Sequence, residues 1–390
     1  MRDTFLPFAP PLIGEEEIEE VIDTLRSGWL TTGPKTRRFA DEFAEFTDAA
    51  AALTVSSCTA ALHLALVAND VGEGDEVITT PLTFAASVNV IEHSGARPVL
   101  VDVEPDTLNI DPAKIEMAIT PNTKAIIAVH YAGHPAELDE IREIAERHDL
   151  ILIEDAAHAI GSAYKGQPIG SGLNPACFSF YATKNLTTGE GGMLTGESEF
   201  LEKARMLSLH GMSREAWSRY AAGGKWAYDI AAPGYKYNMT DIQAALGLQQ
   251  LRRFESMQQR RRDIVSQYQE AFSGNAAFQT PVSREHVTHA WHLYVLRLNE
   301  GELSVNRNQF IEEVNARNIG TSVHFIPIHI HSYYAEKYGW EPDDFPVALD
   351  SFNRMVSLPL SPKMSDQDVT DVIDAVYNVV RAGMSRKAAA

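Results

Sequence analysis

A chain of 390 residues is long enough for two substantial domains, and 45% hydrophobic residues are enough to bury a real core. Its 33 Lys plus Arg against 53 Asp plus Glu leave a net charge of −20, which argues against nonspecific binding to nucleic acid or an anionic membrane, although one pocket can still be locally positive for a phosphate-bearing ligand. The two cysteines, Cys58 and Cys177, belong to no C-x-x-C pair and give no disulfide framework. The first residues do not read as a signal peptide and no apolar run is long enough to span a bilayer, so a cytoplasmic protein is expected. No metal site is assigned.

In chain order, short apolar runs predict buried parallel strands at 52–55, 76–79, 97–101, 125–129, 150–153 and 176–180. Helix-like stretches lie between them at 59–69, 84–94, 112–119 and 136–148. This alternation predicts an α/β fold, a mostly parallel sheet flanked by helices, with ligands at the carboxyl ends of its strands. Helices follow at 199–210 and 240–270, the second with Thr240 as N-cap. The segment 211–238 is rich in Gly, Trp and Tyr and lacks periodicity, which points to function or contact. From about 285 the pattern becomes strand (292–298), helix (306–317), strand (321–325) and terminal helix (365–384), with 384–390 as a frayed tail. We therefore expect a large domain over 1–255 and a smaller C-terminal α+β domain over 256–390.

Four strand ends carry residues with chemistry. Ile151–Ile153 runs into Glu154 and Asp155. Asp155 is either a turn acid or a carboxylate set under a ligand, where it could keep a pyridine nitrogen protonated. The next strand leads to Lys184, followed by Gly189-Glu190-Gly191-Gly192. Lys184 is either a solvated loop lysine or a Schiff-base amine, and Ser179 five residues earlier could face a phosphate. Ser56-Ser57-Cys58-Thr59-Ala60 opens a nearly all-apolar helix, which is either an ordinary cap or an anion cradle. Cys58 reads as a packed small residue. Phe84 is either a core aromatic or a stacking partner for a flat ring. Together these supply an anion cradle, a stacking ring, an acid and an amine, the set that pyridoxal phosphate requires.

On these motifs the chain resembles the DegT/DnrJ/StrS family of pyridoxal-phosphate sugar aminotransferases, which have the fold type I architecture. The likeness runs from Ser27-Gly28-Trp29-Leu30-Thr31-Thr32-Gly33-Pro34 through Glu154-Asp155-Ala156-Ala157-His158 and Thr183-Lys184-Asn185. It continues through Gly234-Tyr235-Lys236-Tyr237-Asn238 to His324-Phe325-Ile326-Pro327-Ile328-His329. The resemblance implies Lys184 as the Schiff-base lysine and Asp155 on the ring nitrogen. It implies His158 near the phenolic oxygen, where many relatives carry Gln, with Thr59, Ala60 and Ser179 on the phosphate and Phe84 against the ring. It also implies a homodimer with shared sites, each entered by the neighbour's Gly-Tyr-x-Tyr segment. Many relatives read Gly-Tyr-Asn-Tyr-Arg there; this chain has Lys236 and Asn238 at the Asn and Arg positions, so the contact with phosphate must differ in geometry. His329 and Glu190 are assigned to the substrate side.

The implied activity is a two-step, ping-pong transamination of a nucleotide-linked keto sugar, with glutamate as amino donor and Lys184 moving the proton. Three alternatives stand beside it. A related dehydratase would carry His in place of Lys184. An amino-acid enzyme could use the same fold, and a non-catalytic nucleotide-sugar-binding regulator could use the same sheet. A dinucleotide oxidoreductase lacks its G-x-G-x-x-G here.

Overall fold

The computed structural model describes residues 2–212, 228–299, 301–303 and 305–389. The Gly- and Trp-rich segment singled out above therefore falls partly outside the described residues. The order is α1 (Glu15–Ser27), α2 (Pro34–Thr47), β1 (Ala51–Val55), α3 (Cys58–Ala68), β2 (Glu76–Thr79), α4 (Ala86–His93), β3 (Arg97–Leu100), α5 (Pro112–Ala118), β4 (Thr123–Val129), α6 (Leu138–Arg147) and β5 (Ile151–Asp155). There follow β6 (Ala163–Tyr164), β7 (Gln167–Pro168), β8 (Ala176–Ser179), β9 (Gly192–Gly196), α7 (Ser198–Ser208) and α8 (Asp241–Phe272). The chain closes with β10 (Phe278–Gln279), β11 (Val287–Thr288), β12 (Tyr294–Leu298), α9 (Arg307–Asn315), α10 (Ser332–Tyr338), α11 (Pro346–Arg354), β13 (Met355–Leu358) and α12 (Asp366–Ala389).

Seven strands form one sheet in the order β1-β9-β8-β5-β4-β2-β3. β9 runs against both its neighbours, and the other pairings are parallel. Side-chain alternation along β8 shows how sequence sets the layers. Phe178 and Phe180 point to one face and pack on Phe43 of α2, with ring centroids 5.0 and 5.5 Å apart, each such edge contact adding about 0.5–1.5 kcal/mol beyond area burial. Cys177 packs on the other face, against α3. The apolar helix α3 is buried on nearly every side, which is why its sequence shows no polar stripe.

Helix α8 connects the two cores. Its N-cap is the expected Thr240, whose Oγ1 accepts from Gln243 N at 3.3 Å while Gln243 Oε1 accepts from Thr240 N at 3.0 Å. Ala244, Leu248 and Phe254 pack into the core beneath the large sheet. Ile264, Tyr268 and Phe272 pack instead into the core built on β12, β13, α9 and α12. The 255/256 boundary expected from the sequence falls inside this helix. The first residues depart from that division, because Leu6 belongs to the second core and pairs with Ile319.

Several elements differ from expectation. Residues 321–325 form no strand; Ser322 makes one bridge to Ser357, and β13 takes the place beside β12. The terminal helix continues to Ala389 instead of ending at Met384, as its run of good helix formers allows. Among the described residues no helix is long and apolar enough to cross a membrane, and no cluster of three or more His, Cys, Asp or Glu could hold a metal ion.

Candidate active site

The reversed strand β9 gathers the expected residues at one edge of the sheet. In register, Gly192 lies between Val55 of β1 and Ser179 of β8. Val55 leads into the α3 turn, and Ser179 leads into the Lys184 loop. Asp155 ends β5 beside Cys177, so acid, amine loop and helix start all leave the sheet at the same side.

Asp155 is 5% exposed. Its Oδ2 accepts from Ser87 Oγ at 2.7 Å, and its Oδ1 accepts from Ala157 N at 3.2 Å. Burial raises its pKa above the carboxylate norm, opposed by the Ser87 and Ala157 bonds and by the charge of Lys184. Lys184 sits in a closed loop. Its own N–H bonds Tyr181 O at 2.9 Å, and Phe180 exchanges backbone bonds with Thr188 and Gly191. Burial lowers the Lys184 amine to about 8, against the raising influence of Cys58 and Asp155. The amine and the carboxylate thus lie within electrostatic reach of each other on the same side of the sheet.

Three histidines lie within electrostatic reach of that amine. His158, His292 and His324 all feel the Lys184 charge, and all are held neutral chiefly by burial, His324 at about 4. His158 stacks on His292 with centroids 4.3 Å apart and on Phe325 at 5.7 Å. Its Nδ1 is buried without a hydrogen-bond partner among the described residues. His292 Nδ1 meets Asn185 Oδ1 at 3.1 Å, and Asn185 Nδ2 donates to Ala290 O at 2.8 Å. His324 Nδ1 meets Ser357 Oγ at 2.8 Å, and its carbonyl accepts from Tyr131 Oη. Neither His292 nor Ser87 stood out in the sequence, and His324 and Phe325 had a motif but no role.

The expected anion cradle lies at the start of α3. Ser57 caps α3, its Oγ accepting from Ala60 N at 3.1 Å. Thr59 is exposed in the first turn, and Ser179 is buried with its Oγ accepting from Tyr181 N at 3.3 Å. A Cβ on Gly192 would lie 2.5 Å from Ser57 C and 2.7 Å from Cys58 N, so only glycine lets β9 pass this turn. Cys58 packs as expected but with a polar contact, its Sγ 3.2 Å from Cys177 O and 3.9 Å from Asp155 Oδ1. Phe84 is not a core aromatic: it is 64% exposed, with Phe325 at 5.9 Å.

The remaining expectations are placed as follows. Glu190 is exposed, its carbonyl accepting from Thr188 Oγ1 and Gln243 Nε2. Lys236 is exposed and bridges Leu209, while Asn238 bridges Val55 and donates to Thr32 Oγ1 at 2.8 Å. His329 is buried against Phe345, its Nε2 meeting Pro342 O at 3.1 Å and its Nδ1 without a hydrogen-bond partner among the described residues.

Residues 11–377 match the model of the DegT/DnrJ/EryC1/StrS aminotransferase family. The chain belongs to that family. The spore coat polysaccharide biosynthesis protein SpsC of Bacillus subtilis is 53% identical over 382 residues, covering 97% of this chain and 98% of that protein. The pyridoxal-phosphate form of Spr1654 from Streptococcus pneumoniae, described as a sugar aminotransferase, superposes with a TM-score of 0.90 at 39% identity over 97% of this chain and 99% of that one. Helicobacter pylori PseC, an aminotransferase of pseudoaminic acid biosynthesis, does so at 0.89 and 28% identity, covering 97% and 100%. This DegT-family chain is thus a pyridoxal-phosphate-dependent sugar aminotransferase of fold type I, which sets aside the non-catalytic reading. Its residues fit the cofactor: an uncovered aromatic face at Phe84, an unpartnered buried Nδ1 at His158, and a buried carboxylate at Asp155 on the side of the sheet from which the Lys184 loop also leaves.

Proposed function

We propose that this aminotransferase moves an amino group from glutamate to a keto sugar carried on a nucleoside diphosphate, in two half-reactions at one site. The observation that supports the reading most is the strand register, by which β5, β8 and β1 release Asp155, the Lys184 loop and the start of α3 from the same side of the sheet. The bound cofactor supplies an aldehyde for an amine and an electron sink for the substrate carbon. Lys184 Nζ would hold the cofactor, and when free would take the proton from the substrate carbon and return it at the other end of the transfer. Burial lowers this amine below an ordinary lysine, which favours its neutral, nucleophilic form.

Asp155 holds the ring nitrogen, and a positive ring there offsets the cost of burying its charge. The start of α3 at Thr59 and Ala60, together with Ser179, takes the phosphate. Phe84 shields one ring face from water, and His158 Nδ1 donates to the phenolic oxygen. Glu190 stays on the substrate side. Lys236 and Asn238 serve a second copy of the chain in a cytoplasmic homodimer, each copy divided near 255/256 with its first residues packed on the C-terminal unit. Support comes from Spr1654, which has been solved in both pyridoxal and pyridoxamine forms, as two half-reactions demand. SpsC and PseC place relatives in polysaccharide and amino-sugar synthesis.

Borohydride reduction and peptide mapping test the site: the cofactor mass is expected on Lys184 and is expected to vanish in Lys184→Ala. A panel of nucleotide-linked keto sugars with glutamate tests the reaction. Turnover of amino acids with no sugar product would move the enzyme to amino-acid chemistry.

A further inference from the structure

Asp155 does not stand free beneath the site. Thr83 Oγ1 lies 2.7 Å from Ser87 Oγ, which lies 2.7 Å from Asp155 Oδ2. Thr83 is 2% exposed and Ser87 1%. An ionised carboxylate can only accept, so the Ser87 hydroxyl proton is committed to Oδ2, and the Ser87 oxygen is left to accept from Thr83. The proton order of the chain is therefore fixed from Thr83 toward Asp155. The same short segment carries Phe84, whose carbonyl accepts from Ser87 N at 3.2 Å. One turn thus presents the uncovered aromatic face and the clamp on the acid.

We infer that Ser87 and Thr83 are positioning residues, which fix the plane of the Asp155 carboxylate and keep its negative charge available to the cofactor's ring nitrogen. This rests on the reading that Asp155 faces that nitrogen. Ala157 N holds the other oxygen, so the carboxylate is gripped from two elements and cannot rotate away without breaking a buried bond. Removal of the Ser87 hydroxyl would raise the proton affinity of Asp155, which would then support a positive charge on a bound cofactor's ring nitrogen less well, a change that the pH dependence of the cofactor's visible band would report.

The test is a pH titration of the visible band of the cofactor-loaded protein. Ser87→Ala is expected to move the midpoint upward by about one pH unit, the size of one charge-assisted hydrogen bond. Its kcat is expected to fall about tenfold, with the donor KM little changed. Thr83→Val, of equal volume, is expected to shift the midpoint in the same direction by less, and Thr83→Ser to restore it. Thr83→Val also keeps the test open if Ser87→Ala does not fold. Asp155→Asn separates the two levels of the argument. A band unmoved by Asp155→Asn overturns the ring-nitrogen reading itself. A band moved by Asp155→Asn but not by Ser87→Ala or Thr83→Val, or Thr83→Ser behaving as Thr83→Val, overturns the positioning role.

Discussion

His292 lies against His158 with ring centroids 4.3 Å apart, and its orientation is fixed by Asn185 Oδ1 at 3.1 Å. Asn185 in turn donates to Ala290 O and Gln258 Oε1. Asn185→Leu strands these buried groups and is expected to cost about 1–3 kcal/mol, measured by chemical denaturation. Burial, then the Lys184 and His324 charges, keep His158 well below the usual histidine range. The profile of kcat/KM is therefore expected to show no histidine inflection near neutral pH. An inflection there that disappears in His158→Asn would contradict the neutral assignment.

The lowered amine at Lys184 sets how cofactor-free protein takes up pyridoxal phosphate. Only the neutral amine attacks an aldehyde. The uptake rate is expected to rise with pH and reach half its maximum near the value of about 8, well below an ordinary lysine. Stability follows the same sign. Because the folded value lies below the unfolded one, the charged amine disfavours folding at low pH, and stability increases as pH climbs through this window. Stopped-flow absorbance at several pH values checks the rate, and a plateau reached only in the ordinary lysine range would refute it.

Gly192→Ala probes the cradle. The added methyl would meet the Ser57 and Cys58 backbone at 2.5–2.7 Å, and backbone cannot swing aside as a long side chain can. A destabilisation of about 1–3 kcal/mol is expected, together with weaker cofactor retention on dialysis. Retention equal to the parent would mean that the turn at Ser57 does not hold the phosphate.

Arg284 ties the segment after α8 to the large unit. It reaches Glu137 at 2.5 Å and Glu104 and Asp106 at 3.1 Å. Burial pushes Glu137 upward, but the Arg284 bond and the Arg284 and His286 charges hold it below the carboxylate norm. Its contribution is present above the unfolded carboxylate value and is lost as pH falls through the lower folded value. Glu104 shifts the other way, burial outweighing its partners, and does not add to this loss. Arg284→Met is expected to cost about 2 kcal/mol at neutral pH. Urea unfolding in acid should show that difference shrinking, and a constant difference would contradict the link.

The parallel strands were legible because each is a short apolar run that repeats at helix-sized intervals. β9 was not, since Gly192-Met193-Leu194-Thr195-Gly196 begins and ends in glycine and reads as loop; tertiary pairing with β1 and β8 makes it a strand. β13 (Met355-Val356-Ser357-Leu358) was passed over although it is a short apolar run, and 321–325 was read as the strand that β13 supplies. In the site, Asp155, Lys184 and the α3 start were visible because strand ends mark them. Ser87, His292 and His324 were not, because their roles depend on contacts 68 to 193 residues away in the chain that no local pattern encodes. The burial of His329 was likewise hidden, because its neighbours in sequence belong to the motif while its ring packs on Phe345.

The reversal of β9 has a mechanical consequence. The segment bearing the reactive amine is tethered at both ends, leaving the sheet on β8 and re-entering on the adjacent strand pressed against the α3 turn. Any drift of the anchoring turn must carry the lysine with it. Sugars of different outline can then be traded by changing the surrounding surface, while the reach of the amine stays constant, and a lineage built on this frame can diversify its acceptors without rebuilding its chemistry.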